Sequence, residues 1–267
     1  MNRSKVVIGI FIALILIVIT IVLLACTVFV VRDVSVESEY SSNLLNADRI
    51  IESSGIERGR SIISLNKEKI KTSIERENPY VEVKGIRRVF PSKVVISTTI
   101  RTGIMLVMSA DAGSYALIDS SMKVLNVVDA SDNTVSNATV VKGLTFVMPD
   151  DGALAAIGSQ ITFSDLSCGE VLSDIAALAS DYELSGRRFF TFFKEISFDT
   201  TGDIVVYIKT NKGVSLVLDK SLSSSVYDQL YYCLIYYSSK DVNVDYTKGY
   251  ICFDKDVNAY LWKETVD

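Results

Sequence analysis

From Val6 to Val31 the chain runs through 26 consecutive positions without a charge or a proline, and twenty of them are Val, Ile, Leu or Phe. As one helix this stretch would be about 39 Å long at about 1.5 Å per residue, against a hydrocarbon core of about 30 Å. Each central aliphatic residue favours insertion by roughly 0.3–0.6 kcal/mol, and nothing inside the stretch offsets the sum. The pattern predicts a single transmembrane helix over 6–31. Arg3 and Lys5 precede it with no acidic neighbour, whereas Arg32 is followed by Asp33, Glu37 and Glu39. The positive-inside rule then places a short tail, 1–5, in the cytoplasm and everything after Val31 outside.

Cleavage is the competing reading of this segment. A signal peptide has an apolar region of about 7–15 residues and a small-x-small cleavage site. Here the apolar run is longer, and Thr27-Val28-Phe29-Val30-Val31 continues it past Ala25-Cys26. Leu23-Leu24-Ala25-Cys26 resembles a lipobox that would make Cys26 a lipidated first residue, but Leu24 fits that pattern poorly. An uncleaved anchor is the better reading.

The remainder is long enough for two modest domains. Without Arg3 and Lys5 it holds 25 basic and 32 acidic residues, a formal charge of −7, so no basic footprint for nucleic acid is present. Cys168, Cys233 and Cys252 are an odd count without close spacing, which does not read as a disulfide framework. Their simplest place is the apolar interior, with a Cys233–Cys252 bridge as the alternative. CxxC and Cys/His zinc spacings are absent.

Val34 and Val36 alternate with polar neighbours as in a short strand. Asn46 reads as the N-cap of a helix over 47–53, with Gly55 where a left-handed residue closes a helix. Asn66 reads as the N-cap of a second helix over 67–77, with Ile70 and Ile74 on one face, ended by Pro79. A hairpin follows, in which Val81, Val83 and Val89 share one parity and Val94, Ile96 and Ile100 share another across Phe90-Pro91-Ser92. Strand, helix, helix, strand, strand is a compact α+β unit.

Beyond Thr102 the texture is β-rich. Strands are predicted over 104–108, 115–118, 124–128, 192–198, 204–209 and 214–218, with Gly-containing turns at Thr201-Gly202-Asp203 and Asn211-Lys212-Gly213 that imply antiparallel hairpins. A helix is predicted over 166–182, with Val171, Ile175, Leu178 and Tyr182 along one side. Another is predicted over 224–238, with Tyr227, Tyr231, Leu234 and Ile235 on one face. The chain then offers a strand over 250–253 and the apolar Tyr260-Leu261-Trp262. The Ser/Asn-rich patches 131–137 and 221–225 read as loops.

Histidine is absent, which excludes Ser-His-Asp and Cys-His catalysis and histidine metal ligation. Nucleotide-binding glycine loops, GxSxG and HExxH are absent as well. Asp150-Asp151 after Pro149 reads as a solvated turn. Cys168 would need a base or positive surroundings to act as a nucleophile, and Asp165 and Glu170 work against that. Asn137-Ala138-Thr139 matches a glycosylation sequon, which matters only in a glycosylating pathway. The residues offer no catalytic constellation, no metal site and no cofactor.

Three short patterns carry a resemblance: Gly55-x3-Gly59-x-Ser61-Ile62, then Asn78-Pro79-Tyr80-Val81, then Arg87-Arg88-x2-Pro91-x2-Val94-x-Ile96. The segment from Val34 to Arg101 resembles a POTRA domain, and the whole chain is similar to the FtsQ/DivIB family of bacterial cell-division proteins. Tyr115-Ala116-Leu117-Ile118-Asp119 with Lys123-Val124-Leu125 is similar to a hairpin of that family, as is Val141-Lys142-Gly143-Leu144 with Pro149 and Gly152 to a later segment. Met122 stands where the family's hairpin has glycine, Ile100 where it has glutamate before Arg101, and Asp219 where it has a further glycine.

The resemblance implies an α+β chain: tail 1–5, anchor 6–31, POTRA-like domain 32–101, and a larger β-rich domain 102–267 with an antiparallel sheet and two or more helices. It implies a non-catalytic scaffold at the septum that binds single-pass division proteins resembling FtsB/DivIC and FtsL and helps regulate septal peptidoglycan synthesis. Its partner contact would add a strand to a sheet edge, and by order along the chain the matching positions are Tyr250, Cys252 and Phe253 on the last strand, with Tyr227 and Tyr231 on the last helix. For those residues core packing is the competing reading. An envelope adaptor of a secretion or sporulation system is the first alternative, and an extracytoplasmic hydrolase the second.

Overall fold

The computed structural model describes residues 3–38, 46–129, 138–152, 156–181, 192–239 and 244–265. The loop at 131–137 with its sequon Asn137, and Tyr182, lie outside these residues. The chain divides into two compact units, Met1–Ile100 and Arg101–Asp267.

In the first unit, α1 spans Arg3–Thr27, so Arg3, Ser4 and Lys5 of the expected tail belong to the helix. The helix also ends four residues before Val31. Phe29 and Val31 leave it because their backbones are taken by the following unit: the Ile62 amide donates to the Phe29 carbonyl at 2.9 Å and the Val31 amide to that of Arg60 at 2.8 Å. Side chains of α1 are described for 9–21, 23 and 27, all exposed. Among the residues so described, no helix is long and apolar enough to cross a membrane.

The rest of the unit is β1 (Asp33–Ser38), α2 (Ala47–Ser53), α3 (Lys67–Glu77), β2 (Val81–Val89) and β3 (Lys93–Ile100). Asn46 and Asn66 cap the two helices, accepting from the amides of Arg49 and Lys69, a satisfaction of orphan donors worth roughly 1 kcal/mol each. The sheet order is β1-β3-β2, with β1 parallel and β2 antiparallel to β3. Ile50, Ile70 and Ile74 from the helices meet Val81, Val83, Ile86, Val94 and Ile96 from the sheet in one core.

The expected parity of β2 fails midway. A register shift between Val83 and Gly85 moves Ile86, not a residue in step with Val83, into the core, and Val89 is half-buried. Buried Glu75 on α3 serves this irregularity by accepting from the Val83 amide at 2.9 Å. Asn78 joins the helices, its side chain donating to Ser53 Oγ at 2.8 Å and to the Ile74 carbonyl at 3.0 Å. The Phe90–Pro91 peptide is cis.

The second unit begins with β4 (Met105–Ser109), β5 (Ser114–Ile118), β6 (Val124–Asp129) and β7 (Thr139–Phe146). It continues through α4 (Leu166–Asp181), β8 (Phe193–Asp199), β9 (Val205–Thr210) and β10 (Ser215–Asp219). It closes with α5 (Val226–Ser238), β11 (Tyr250–Asp254) and β12 (Ala259–Lys263). The nine strands make one sheet, ordered β12-β11-β10-β9-β8-β7-β4-β5-β6.

The hairpins predicted from glycine turns are antiparallel, but the sheet is mixed: β10–β11, β4–β7 and β7–β8 pair in parallel. These pairings join segments distant in sequence, where turn chemistry gives no signal. β7, which the apolar pattern did not announce, buries Thr139 and Val141 and then, after a break, Leu144 and Phe146. Gly143 makes the break at φ +75, where a Cβ would collide with the Phe198 carbonyl oxygen. The aliphatic faces of α4 and α5 pack on one side of the sheet, with Val171, Leu172, Ile175, Val226, Leu230 and Cys233 against Ile196, Ile208 and Leu216.

Candidate functional site

The C-terminal elements β10, α5, β11 and β12 gather the residues singled out in the sequence, but not on one surface. Successive residues of a strand point to opposite faces. Ile251 is fully buried beneath α5, so Phe253 shares its side, while Tyr250 and Cys252 face away from the helices.

On the helix side an aromatic ladder crosses three elements. Phe253 meets Tyr260 of β12 edge-on at 5.3 Å, Tyr260 stacks on Tyr232 of α5 at 5.6 Å, and Tyr232 meets Tyr231 at 5.3 Å. Burial pushes the Tyr260 hydroxyl above its ordinary pKa. Tyr227 and Tyr231 are half-buried against the core, and the fully inward stripe of α5 is Val226, Gln229, Leu230 and Cys233. The helix is therefore rotated from the predicted face, leaving Ile235 exposed. Gln229 fixes that rotation: it accepts from the Asp219 amide and donates to the Asp219 carbonyl, both at 2.8 Å. Tyr231, Leu234 and Ile235 also border, with Phe192, a shallow apolar groove of about 210 Å³.

On the opposite side, Tyr250 meets Tyr207 edge-on at 6.3 Å. Cys252 lines, with Tyr207, Val217, Asp254 and Lys263, a depression of about 500 Å³. Lys263 bonds Asp254 at 2.9 Å and holds its carboxyl below the usual range. Cys168, Cys233 and Cys252 form no disulfide. Burial, and then Asp165, push the Cys168 thiol upward, and burial does the same to Cys233.

The expectation that Tyr250–Phe253 is the last strand is corrected. β11 lies between β10, with which Tyr250 and Ile251 pair in parallel, and β12, which pairs antiparallel along all of Tyr250–Asp254, so it is an inner strand. The terminal strand is β12, formed by residues the sequence showed only as an apolar end. Its signal was the Asp254–Asn258 turn, where Asp254 accepts from the amides of Asp256 and Val257 and Asn258 adopts φ +55.

The two ends of the sheet differ. At the β6 end, residues 158–161 lie alongside: Lys123 bridges to Gln160, the Val124 amide donates to Ser159 and the Gly158 amide to Val124. Among the described residues, no strand pairs with the outer side of β12.

At the opposite end of the second unit's sequence, Arg101 and Asp119 make a buried pair. Arg101 Nη1 lies 2.7 Å from Asp119 Oδ2, and Asp119 Oδ1 accepts from the amides of Ser121 and Lys123, each at 2.9 Å. This carboxylate closes the turn in which Met122 takes φ +62, the conformation that the family's glycine would adopt freely.

Residues 30–99 match the family model described as POTRA domain, FtsQ-type. The βααββ unit is thus similar to FtsQ-type POTRA domains, and the match supports the resemblance to the FtsQ/DivIB family. No curated protein matches the chain.

Proposed function

We propose that this chain, which carries an FtsQ-type POTRA domain, is a membrane-anchored, non-catalytic scaffold of the bacterial division complex. The observation that carries the reading is the POTRA match at 30–99, whose first two residues are the last two of the uncharged stretch from Val6 to Val31. Anchoring is supported by the sequence of that stretch, whose 26 uncharged positions would extend about 39 Å as one helix, against a hydrocarbon core of about 30 Å. Arg3 and Lys5 before it and the acidic residues after Arg32 support a cytoplasmic N-terminal end with both folded units outside.

Partner capture is assigned to the C-terminal end of the large sheet. β11 is an inner strand and β12 the terminal one, so strand addition is assigned to β12, whose outer backbone groups would pair with an extended segment of a single-pass division protein resembling FtsB/DivIC, with FtsL in the same assembly. Backbone bonds would give affinity and alternate side chains selectivity. Tyr260 and Phe253 on one face, and Leu261 and Cys252 on the other, are the side chains such a segment would meet or rely on. Tyr227, Tyr231 and Tyr250 serve as supports for that edge. The complex formed this way would regulate septal peptidoglycan synthesis.

A fluorescent fusion of the full chain in the host bacterium tests the reading. It should concentrate at midcell in dividing cells. Uniform envelope staining throughout the cycle would refute the division assignment.

A further inference from the structure

Three exposed apolar side chains crowd the point where the chain leaves α1. Val28 follows the last helical residue, Thr27, and Phe29 is already bonded to the POTRA unit through Ile62. Ile63 comes directly after Ile62, next to the Val30–Ser61 bridge. Phe29 in turn meets Phe90 edge-on at 5.8 Å. Ile63 and Phe90 are 52% and 57% exposed, an unusual placement for apolar residues of that size around one point. Arg32, Arg58 and Arg60 are exposed in the same two segments, and Arg32 donates to the Thr27 carbonyl at 3.3 Å.

The length of the tether says what covers this patch. A residue spans at most about 3.6 Å, so Phe29 lies within about 7 Å of the end of α1. The headgroup layer on each side of a bilayer is of similar thickness, about 5–8 Å. Given the anchoring reading, on which this inference rests, a domain joined by one residue cannot stand clear of that layer.

We propose that Val28, Ile63 and Phe90 form an apolar collar seated in the outer interfacial layer of the bilayer, with Arg32, Arg58 and Arg60 supplying cations for lipid phosphates. Aromatic and aliphatic groups at this depth keep one side in hydrocarbon, and arginine reaches the headgroups over its apolar stem. The POTRA unit is then held against the membrane rather than swinging on a leash.

The test uses the full chain in vesicles of phosphatidylcholine and phosphatidylglycerol, with Phe90→Trp compared to Val257→Trp in the second unit and Leu14→Trp within the anchor. Trp262 is a constant background in all three. Lipids brominated near the headgroup end of the acyl chain should quench the Phe90→Trp signal on the order of twofold more than the Val257→Trp signal, with a blue-shifted emission. If Leu14→Trp is quenched by deep bromines and Phe90→Trp behaves like Val257→Trp, the collar is wrong while the anchor stands. If Leu14→Trp is not quenched, the anchor fails and the collar with it. A blue shift at position 90 without bromine quenching, growing with the protein-to-lipid ratio, would assign the patch to a second copy of the chain and overturn the proposal.

Discussion

Replacing Arg101 by Met should destabilise the second unit by about 3 kcal/mol. Arg101 and Asp119 are 9% and 6% exposed and 2.7 Å apart, and removing one partner of a buried pair costs about 3–5 kcal/mol because the other charge is left uncompensated. The lower figure applies because Asp119 keeps the donors from Ser121 and Lys123. Trp262, the one tryptophan of the chain, lies in this unit, so its fluorescence during urea unfolding of the full chain in detergent reports the right transition. With a slope of about 2 kcal/mol per molar urea, the midpoint should fall by about 1.5 M. Adding Asp119→Asn removes the stranded charge and should recover part of the loss, so the two changes together cost less than their sum. A midpoint shift for Arg101→Met below about 0.5 M, the behaviour of a surface pair, would refute the reasoning.

Other substitutions and conditions test separate parts of the structure. Gly143→Ala places a Cβ against the Phe198 carbonyl at φ +75 and should cost more than about 1 kcal/mol in the same unfolding assay; an unchanged midpoint would contradict the bulge. Met122→Gly relieves left-handed strain of about 1 kcal/mol but gives up a buried side chain worth about 2 kcal/mol, so a net loss near 1 kcal/mol is expected and a gain would show that strain dominates. The Asp254 carboxyl is held below its ordinary pKa by Lys263. Its contribution to the β11–β12 hairpin is therefore complete above the ordinary carboxylate value, about 3.9, and fades as pH falls through the depressed one. Trp262 emission should show this loosening in acid, and Lys263→Met should move it to higher pH; no movement would sever the link.

Local chemistry made the POTRA unit readable. Asn46 and Asn66 had to cap something, Pro79 had to end a helix, and the valines and isoleucines on either side of Pro91 had to pair. The bulge at Val83–Gly85 escaped because a register shift leaves no mark on composition, so Ile86 was not seen as core. In the second unit, turns rich in glycine disclosed the antiparallel pairs, whereas the parallel ones depend on meetings between remote segments. β7 was hidden by Gly143, which interrupts its alternation, and β12 by a turn without glycine.

The candidate site was legible by identity but not by geometry. Tyr250, Cys252 and Phe253 do share a strand, yet two-residue alternation already divides them between faces. Tyr232 and Tyr260, which complete the aromatic ladder, were part of apolar runs whose partners only the fold reveals. Burial of Gln229 turned α5 away from its most hydrophobic-looking face, a polar requirement that apolar spacing alone does not register.

The most direct test is isolation of the full chain from its own membranes, comparing the parent with Leu261→Asp, which puts a charge on the outermost strand. The account predicts that single-pass division proteins accompany the parent and that the substitution weakens their capture by about tenfold, some 1.4 kcal/mol, with the urea midpoint of the second unit unchanged. Retention of the same partners at full strength by a folded Leu261→Asp chain, or the absence of any single-pass partner from the parent, would contradict it.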